Sequence, residues 1–239
     1  MVMIYNRLDE RVDMAKFTKH VVFVLIVFVV IGAQSPSAKQ ESQKSQPPRA
    51  SQGQSSNTKI CSPVTVNREE PVTGGPRRTT PVTKIVIHST GGPACSPKQA
   101  FQSGTLNSNI KHFKAESGKV GIHYIVDKDG TIAQMVPEDH IAYHVVGYNA
   151  KSIGIELINN GNGQDPFPPE QIHALEFLLG DLLSRYSLGP ESVVAHADLE
   201  KRHYTCGTVD AGPRRVDPGS NFPWQEIRAY LSLPCRQNP

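Results

Sequence analysis

The sequence predicts a single α/β domain, a central mixed β-sheet flanked by helices, and three observations carry that prediction. Two short β-branched runs, residues 84–88 (KIVIH) and 193–196 (VVAH), are separated by segments with helical apolar spacing. An Asp-Gly turn inside that order adds a hairpin, so the sheet cannot be purely parallel. Nearly all the periodic apolar sequence falls between Val82 and Leu233, about the size of one domain, with no internal repeat.

Residues 84–88 are bounded by Pro81 and by Gly91-Gly92-Pro93, as a buried strand should be. A short helix is expected between Asn107 and Glu116, where Ile110 and Phe113 are three apart. Residues 122–126 and 131–136 flank Asp127-Lys-Asp-Gly130 and read as a hairpin, because Asp-Gly tolerates the positive φ of a tight turn. Residues 152–158 (SIGIELI) form the next strand, with Ile153, Ile155 and Leu157 on one face and Ser152, Gly154 and Glu156 on the other. A carboxylate beside a residue without a side chain leaves room for a substrate to approach. Pro168-Pro169 opens the longest helix, in which Ile172, Leu175, Leu179, Leu182 and Tyr186 recur until Gly189-Pro190 stops it. After the strand at 193–196 a last helix starts near Pro223, with Trp224, Ile227 and Leu231 at helical spacing.

The chain has 239 residues and a formal charge of +3. Eight basic residues but only four acidic ones precede Cys61, so the excess belongs to that region and the remainder is near neutral. A basic surface for nucleic acid is therefore excluded, while 38% apolar residues suit an ordinary core. Residues 21–31 (VVFVLIVFVVI) are too short to span a bilayer comfortably; preceded by Lys16 and Lys19 and followed by Gly32-Ala33, they read as a signal peptide over residues 1–33. Met14 makes a cleaner start than Met1, and an uncleaved membrane anchor is the alternative. Residues 34–60, rich in Ser, Gln, Pro and Lys, read as a disordered tether whose basic charge suits weak association with anionic envelope polymers. The domain then occupies residues 61–239. Its cysteines, Cys61, Cys95, Cys206 and Cys235, lack paired C-x-x-C spacing, and an even number in an exported chain favours disulfides, with three pairings open.

Both β-branched runs end in a histidine, at the strand end where open α/β sheets carry ligands. His88, His196 and Asp217, the last in the turn-forming Arg214-Arg-Val-Asp-Pro-Gly219, supply two imidazoles and a carboxylate. That donor set suffices for catalytic Zn2+, leaving a fourth position for a water whose pKa falls to about 7. No H-E-x-x-H occurs, which argues against a thermolysin-like peptidase. Glu156, by its place on the strand, is the candidate to take a proton from that water. His123 alternates within the hairpin strand and reads as packed, and His173 lies off the apolar stripe of its helix.

The order of motifs is specific. Ile85-Val-Ile-His-Ser-Thr90, Gly121-Ile-His-Tyr-Ile-Val-Asp-Lys-Asp-Gly-Thr-Ile132, Ala142-Tyr-His144, Asn149-Ala-Lys-Ser-Ile-Gly-Ile-Glu-Leu157, Val194-Ala-His196 and Arg214-Arg-Val-Asp-Pro-Gly219 follow one another. Together they resemble the zinc-dependent N-acetylmuramoyl-L-alanine amidases of the type-2 family, related in fold to peptidoglycan recognition proteins and phage T7 lysozyme. The resemblance implies zinc ligands at His88, His196 and Asp217, and a catalytic Glu156. Phage-like and animal members place tyrosine where this chain has Ile122 and cysteine where it has Asp217, so the pattern resembles the bacterial envelope branch. Where bacterial relatives carry an oxyanion-stabilising lysine, this chain has Arg215, which keeps the charge on a longer, planar group. His144 and Asn149 are implied to border the glycan-peptide groove. The segment between His196 and Asp217 is longer than in compact relatives and includes His203, for which the family pattern has no use. Restraint of that segment motivates pairing Cys95 with Cys206, and Cys61 with Cys235 would staple the domain ends.

The resemblance thus implies an enzyme that cleaves the amide between N-acetylmuramic acid and L-alanine in peptidoglycan or muropeptides; the leader makes it exported, periplasmic or secreted, and a monomer is expected. The alternative is a non-catalytic peptidoglycan-binding module, which would need neither the metal ligands nor Glu156.

Overall fold

In the computed structural model, which describes residues 58–59 and 63–235, six strands form one sheet and two more a separate hairpin. The leader, residues 34–57 and 60 of the tether, and Cys61 lie outside the described residues; the tether's Lys59 is described and donates its backbone N–H to the Pro234 carbonyl (2.9 Å), so the tether's end is paired with the domain's C-terminal segment. The elements are β1 (Arg68–Glu69), β2 (Lys84–Ser89), α1 (Leu106–Ala115), β3 (Tyr124–Val126), β4 (Ile132–Gln134), β5 (Ser152–Leu157), α2 (Pro169–Tyr186), β6 (Val193–Ala195), α3 (His196–Leu199), β7 (His203–Cys206), β8 (Val209–Pro213) and α4 (Trp224–Leu231).

The sheet order is β1-β4-β3-β5-β2-β6. The β3–β4 pair is antiparallel and the other pairings are parallel, the mixed sheet expected. Gly130 closes the β3–β4 hairpin with φ 86°, the backbone the Asp-Gly signal requires. Helix α1 starts on a reciprocal cap. The Thr105 hydroxyl accepts from the Ser108 N–H at 3.2 Å, and the Ser108 hydroxyl oxygen accepts from the Thr105 N–H at 2.8 Å. Helix α2 opens with Pro169 and ends earlier than Gly189 would suggest, because Ser187 adopts the left-handed conformation (φ 53°) and caps it.

Apolar alternation decides the layers. Ile85 and Ile87 of β2 and Ile153, Ile155 and Leu157 of β5 join Leu175, Leu178, Leu179 and Leu182 of α2 and Ile227 and Leu231 of α4 in one core. Each such side chain contributes roughly 1.5–3 kcal/mol on burial. On the opposite face α1 covers less of the sheet, packing Leu106, Ile110 and Phe113 against Ile122, Ile125 and Met135. The second face therefore has room for a cleft. Arg78 ties the loop before β5 to the loop after β4, donating to the carbonyls of Ala150 (2.7 Å), His140 (3.1 Å) and Ser152 (3.1 Å).

Beside the core, Glu138 accepts two hydrogen bonds from Arg185 (2.7 and 2.8 Å) and others from the hydroxyls of Tyr124 and Tyr186. Burial alone would raise the Glu138 carboxyl, but these donors outweigh it and hold the group below its ordinary value of 4.5. A depressed folded-state pKa stabilises the fold above the ordinary carboxyl pKa and loses that contribution as pH falls through the folded value. Glu138→Gln is accordingly expected to cost about 1–3 kcal/mol at neutral pH. The difference should shrink as pH drops below the ordinary glutamate range, as urea unfolding of both proteins across pH would measure.

Candidate metal centre

The strand pleat sorts the side chains before any ligand is considered. Because Ile85, Ile87, Ile153 and Ile155 face α2, His88 and Glu156 face the cleft, and the parallel register sets them directly opposite each other on β2 and β5. Strand β6 pairs with β2 through Ile87 and Ala195, so the next residue, His196, arrives beside His88, with ring centroids 4.4 Å apart. His196 is the first residue of α3 rather than the last of the strand: the Ala195 N–H donates to the Asp198 carboxylate (3.3 Å) and the chain turns there. Asp217 is brought in from the turn before α4 and is pinned from both sides. The Ala197 N–H donates to the Asp217 carbonyl (3.2 Å), and the Ser89 hydroxyl donates to the Pro218 carbonyl (2.8 Å).

The result is a buried cluster in which one donor atom each from His88, His196 and Asp217 lies within 4.8 Å of the others. Asp217 Oδ2 is 3.3 Å from His88 Nδ1 and 3.0 Å from His196 Nδ1, so both imidazoles present the same nitrogen. Burial pushes His88 down to about 4, against the pull of Asp217, so its ring is neutral and able to donate a lone pair. Asp217 is held well below the carboxylate range by its two imidazole contacts although burial opposes this, so it is ionised. Two imidazoles and an ionised carboxylate converging in one buried cluster fit Zn2+ or a similar borderline divalent cation.

The remaining sequence-predicted residues share the same cleft of about 620 Å³. Burial, helped by the Asp217 charge and opposed by Arg215, pushes Glu156 up to about 8. Arg215 Nε lies 3.7 Å from Glu200 Oε2. His144 has both ring nitrogens engaged, Nδ1 with His88 Nε2 at 2.9 Å and Nε2 with Ser152 Oγ at 3.1 Å. Asn149 Oδ1 accepts from the backbone N–H groups of His144 (2.9 Å) and Val145 (2.7 Å), which shapes the wall. The space beside Glu156 is not open as the absent side chain of Gly154 suggests. A Cβ there would lie 2.6 Å from both His144 Nδ1 and Ile122 Cδ1, so the glycine admits the His144 ring instead of a substrate. His123 is buried, its Nδ1 accepting from the Gly154 N–H, and His203 pairs with Asp210 on the exposed β7–β8 hairpin.

Sequence reasoning passed over Glu200. It reads as a charged loop residue, yet it is buried, 3.4 Å from His196 Nε2 and in contact with Arg202, Arg214 and Arg215. Its four-residue offset from His196 at the start of a helical turn is the signal that would have found it. Cys95 and Cys206 are joined as expected, tying β7 to the loop that follows His88, across a sequence separation of 111 residues. Cys235 is also disulfide-bonded. Replacing Cys95 and Cys206 with serine is expected to cost about 2–4 kcal/mol in denaturant unfolding.

A buried two-histidine, one-aspartate cluster with an adjacent glutamate at the end of a mixed sheet is the donor set that metal-dependent hydrolases use. Residues 78–220, more than half of the chain, match the family model described as N-acetylmuramoyl-L-alanine amidase, Amidase_2, and the chain belongs to that family. It is 37% identical over 131 residues to the N-acetylmuramoyl-L-alanine amidase AmiD of Escherichia coli, covering 46% of this chain and 44% of AmiD. It is 35% identical over 108 residues to the endolysin of Enterobacteria phage K11, covering 42% of this chain and 68% of that one. A solved complex of Escherichia coli AmiD with anhydro-N-acetylmuramic acid-L-Ala-D-gamma-Glu-L-Lys has a TM-score of 0.48 and 29% identity, covering 65% of this chain and 60% of that one. The chain thus spans less than half the length of AmiD in the sequence match.

Proposed function

We propose that this chain is an exported zinc amidase that hydrolyses the amide between the lactyl group of N-acetylmuramic acid and the L-alanine of the stem peptide. Peptidoglycan or muropeptides are its substrates, in cell-wall degradation, remodelling or recycling, and it acts as a monomer. Residues 1–33 are its export leader, 34–60 its tether and 61–239 its catalytic domain. Among the described residues no helix is long and apolar enough to cross a membrane, and the Cys95–Cys206 bond suits an oxidising compartment.

The observation that carries the reading is the convergence of His88, His196 and Asp217 in one buried cluster with Glu156 in register beside it. His88 Nδ1, His196 Nδ1 and the Asp217 carboxylate would hold the metal. A zinc ion bound by them would supply Lewis-acid polarisation of the carbonyl and lower the pKa of a water to about 7. The positive charge of a cation held by the triad would favour the carboxylate form of Glu156 against the burial that raises it, and Glu156 accepts a proton from the attacking water as the water oxygen bonds to the lactyl carbonyl carbon. When the carbon–nitrogen bond breaks, Glu156 passes that proton to the departing alanine nitrogen. Arg215 donates toward the carbonyl oxygen as negative charge develops on it. His144 and Asn149 border the bound glycan-peptide, and Lys119, Arg202 and Arg214, which also line the cleft, face the carboxylates of the stem peptide.

Incubation of muropeptides with the protein and zinc should release free stem peptide. Cleavage within the peptide or between sugars would contradict the reading, and a metal content near zero in the purified protein would favour the binding module instead.

A further inference from the structure

The triad holds a cation only if both histidines keep their Nδ1 lone pairs free, and a neutral imidazole keeps one nitrogen free only when its proton sits on the other. We propose that His144 is a positioning residue that fixes the proton of His88 on Nε2, at the end of a hydrogen-bond relay that starts from the Tyr148 carbonyl. This rests on the metal reading of the triad.

The relay has one polarity that serves the metal. The Tyr148 carbonyl can only accept, and the Ser152 hydroxyl donates its single proton to it at 2.9 Å. Ser152 Oγ then accepts from His144 Nε2–H at 3.1 Å. With its proton spent there, the neutral His144 ring offers the Nδ1 lone pair, which accepts from His88 Nε2–H at 2.9 Å. His88 Nδ1 is left bare toward Asp217, 3.3 Å away, beside the His196 nitrogen. The opposite polarity puts the proton on His88 Nδ1, where it occupies the ligand position.

The backbone reserves space for this arrangement. Any side chain at residue 154 would collide with the imidazole, its Cβ 2.6 Å from His144 Nδ1 and 2.8 Å from Cε1. Both ring nitrogens of His144 are used within the protein, so the ring's hydrogen bonds are directed to the ligand behind it. Orienting partners of this kind typically change metal affinity by about 10–100-fold.

The experiment measures zinc affinity by chelator competition, and the imidazole nitrogen spectrum of the zinc-loaded protein, for the wild type, His144→Leu, His144→Asn and Ser152→Ala. Leucine removes the acceptor, whereas the asparagine amide oxygen sits close to the place of Nδ1. His144→Leu is expected to bind zinc about 10–100-fold more weakly, His144→Asn to recover most of that loss, and Ser152→Ala to fall between. The zinc-loaded wild type should show the His88 Nε2 proton in a hydrogen bond, and His144→Leu should lose that bond. A His88 Nε2 proton without a hydrogen bond in the zinc-loaded wild type, unchanged zinc affinity in His144→Leu, or equal losses in the leucine and asparagine variants would overturn the proposal. Neither measurement depends on turnover. A wild type that binds zinc but releases no stem peptide therefore overturns the amidase reading alone.

Discussion

Glu156→Gln is expected to retain full zinc content and to lose about 10²–10⁴-fold in turnover of muropeptides. Glutamine keeps the size of the side chain on β5 and its place opposite His88, so the cleft stays intact. It cannot accept a proton from water or return one to the alanine nitrogen, and proton transfer is the contribution assigned to Glu156. Because Glu156 is not among the three converging donors, metal content should not follow activity. Elemental analysis beside single-turnover kinetics measures both. A variant that loses zinc along with activity would place Glu156 among the ligands instead.

His196→Ala is expected to give the complementary result, loss of the metal itself. Two donors remain after the substitution, His88 and Asp217, and the buried Glu200 loses its histidine neighbour. Zinc at about 100 times its dissociation constant should stabilise the wild type by roughly 2.7 kcal/mol and leave the variant unchanged. Activity should fall to that of the chelated wild type. Thermal unfolding with and without zinc provides the comparison, and a variant still stabilised by zinc would remove His196 from the ligand set.

The elements that were legible in the sequence are those whose burial imposes a period. Strand β5 alternates Ile153, Ile155 and Leu157, and α2 repeats Ile172, Leu175, Leu179 and Leu182, because each faces the same core. Hairpin β3–β4 was legible from Asp-Gly alone. The β7–β8 hairpin was not: its residues are mostly exposed, so pairing there leaves no apolar alternation to read. Strand β1 has two residues and is set by its partner β4 rather than by its own sequence.

At the site, the residue types that can hold a metal were visible, and their order in the chain was specific. The contacts that orient them were not, because they join residues distant in sequence. His144 meets His88 across 56 positions, and the Ser89 hydroxyl reaches Pro218 across 129. Gly154 shows the same gap from the other side. A missing side chain marks a close approach, but only the fold says that the approaching group is the His144 ring. Glu200 carries no local signal of burial, because its neighbours Lys201, Arg202 and His203 are charged or polar and the arginines it attracts are partly supplied from Arg214 and Arg215, beyond the hairpin.

The most direct measurement is hydrolysis of a purified muropeptide in heavy-oxygen water, with zinc present and the products resolved by mass spectrometry. Attack at the lactyl carbonyl predicts one heavy oxygen in the carboxylate of the muramic acid product and none in the released stem peptide. Heavy oxygen in a peptide carboxylate, or at the reducing carbon of a sugar, would contradict the account.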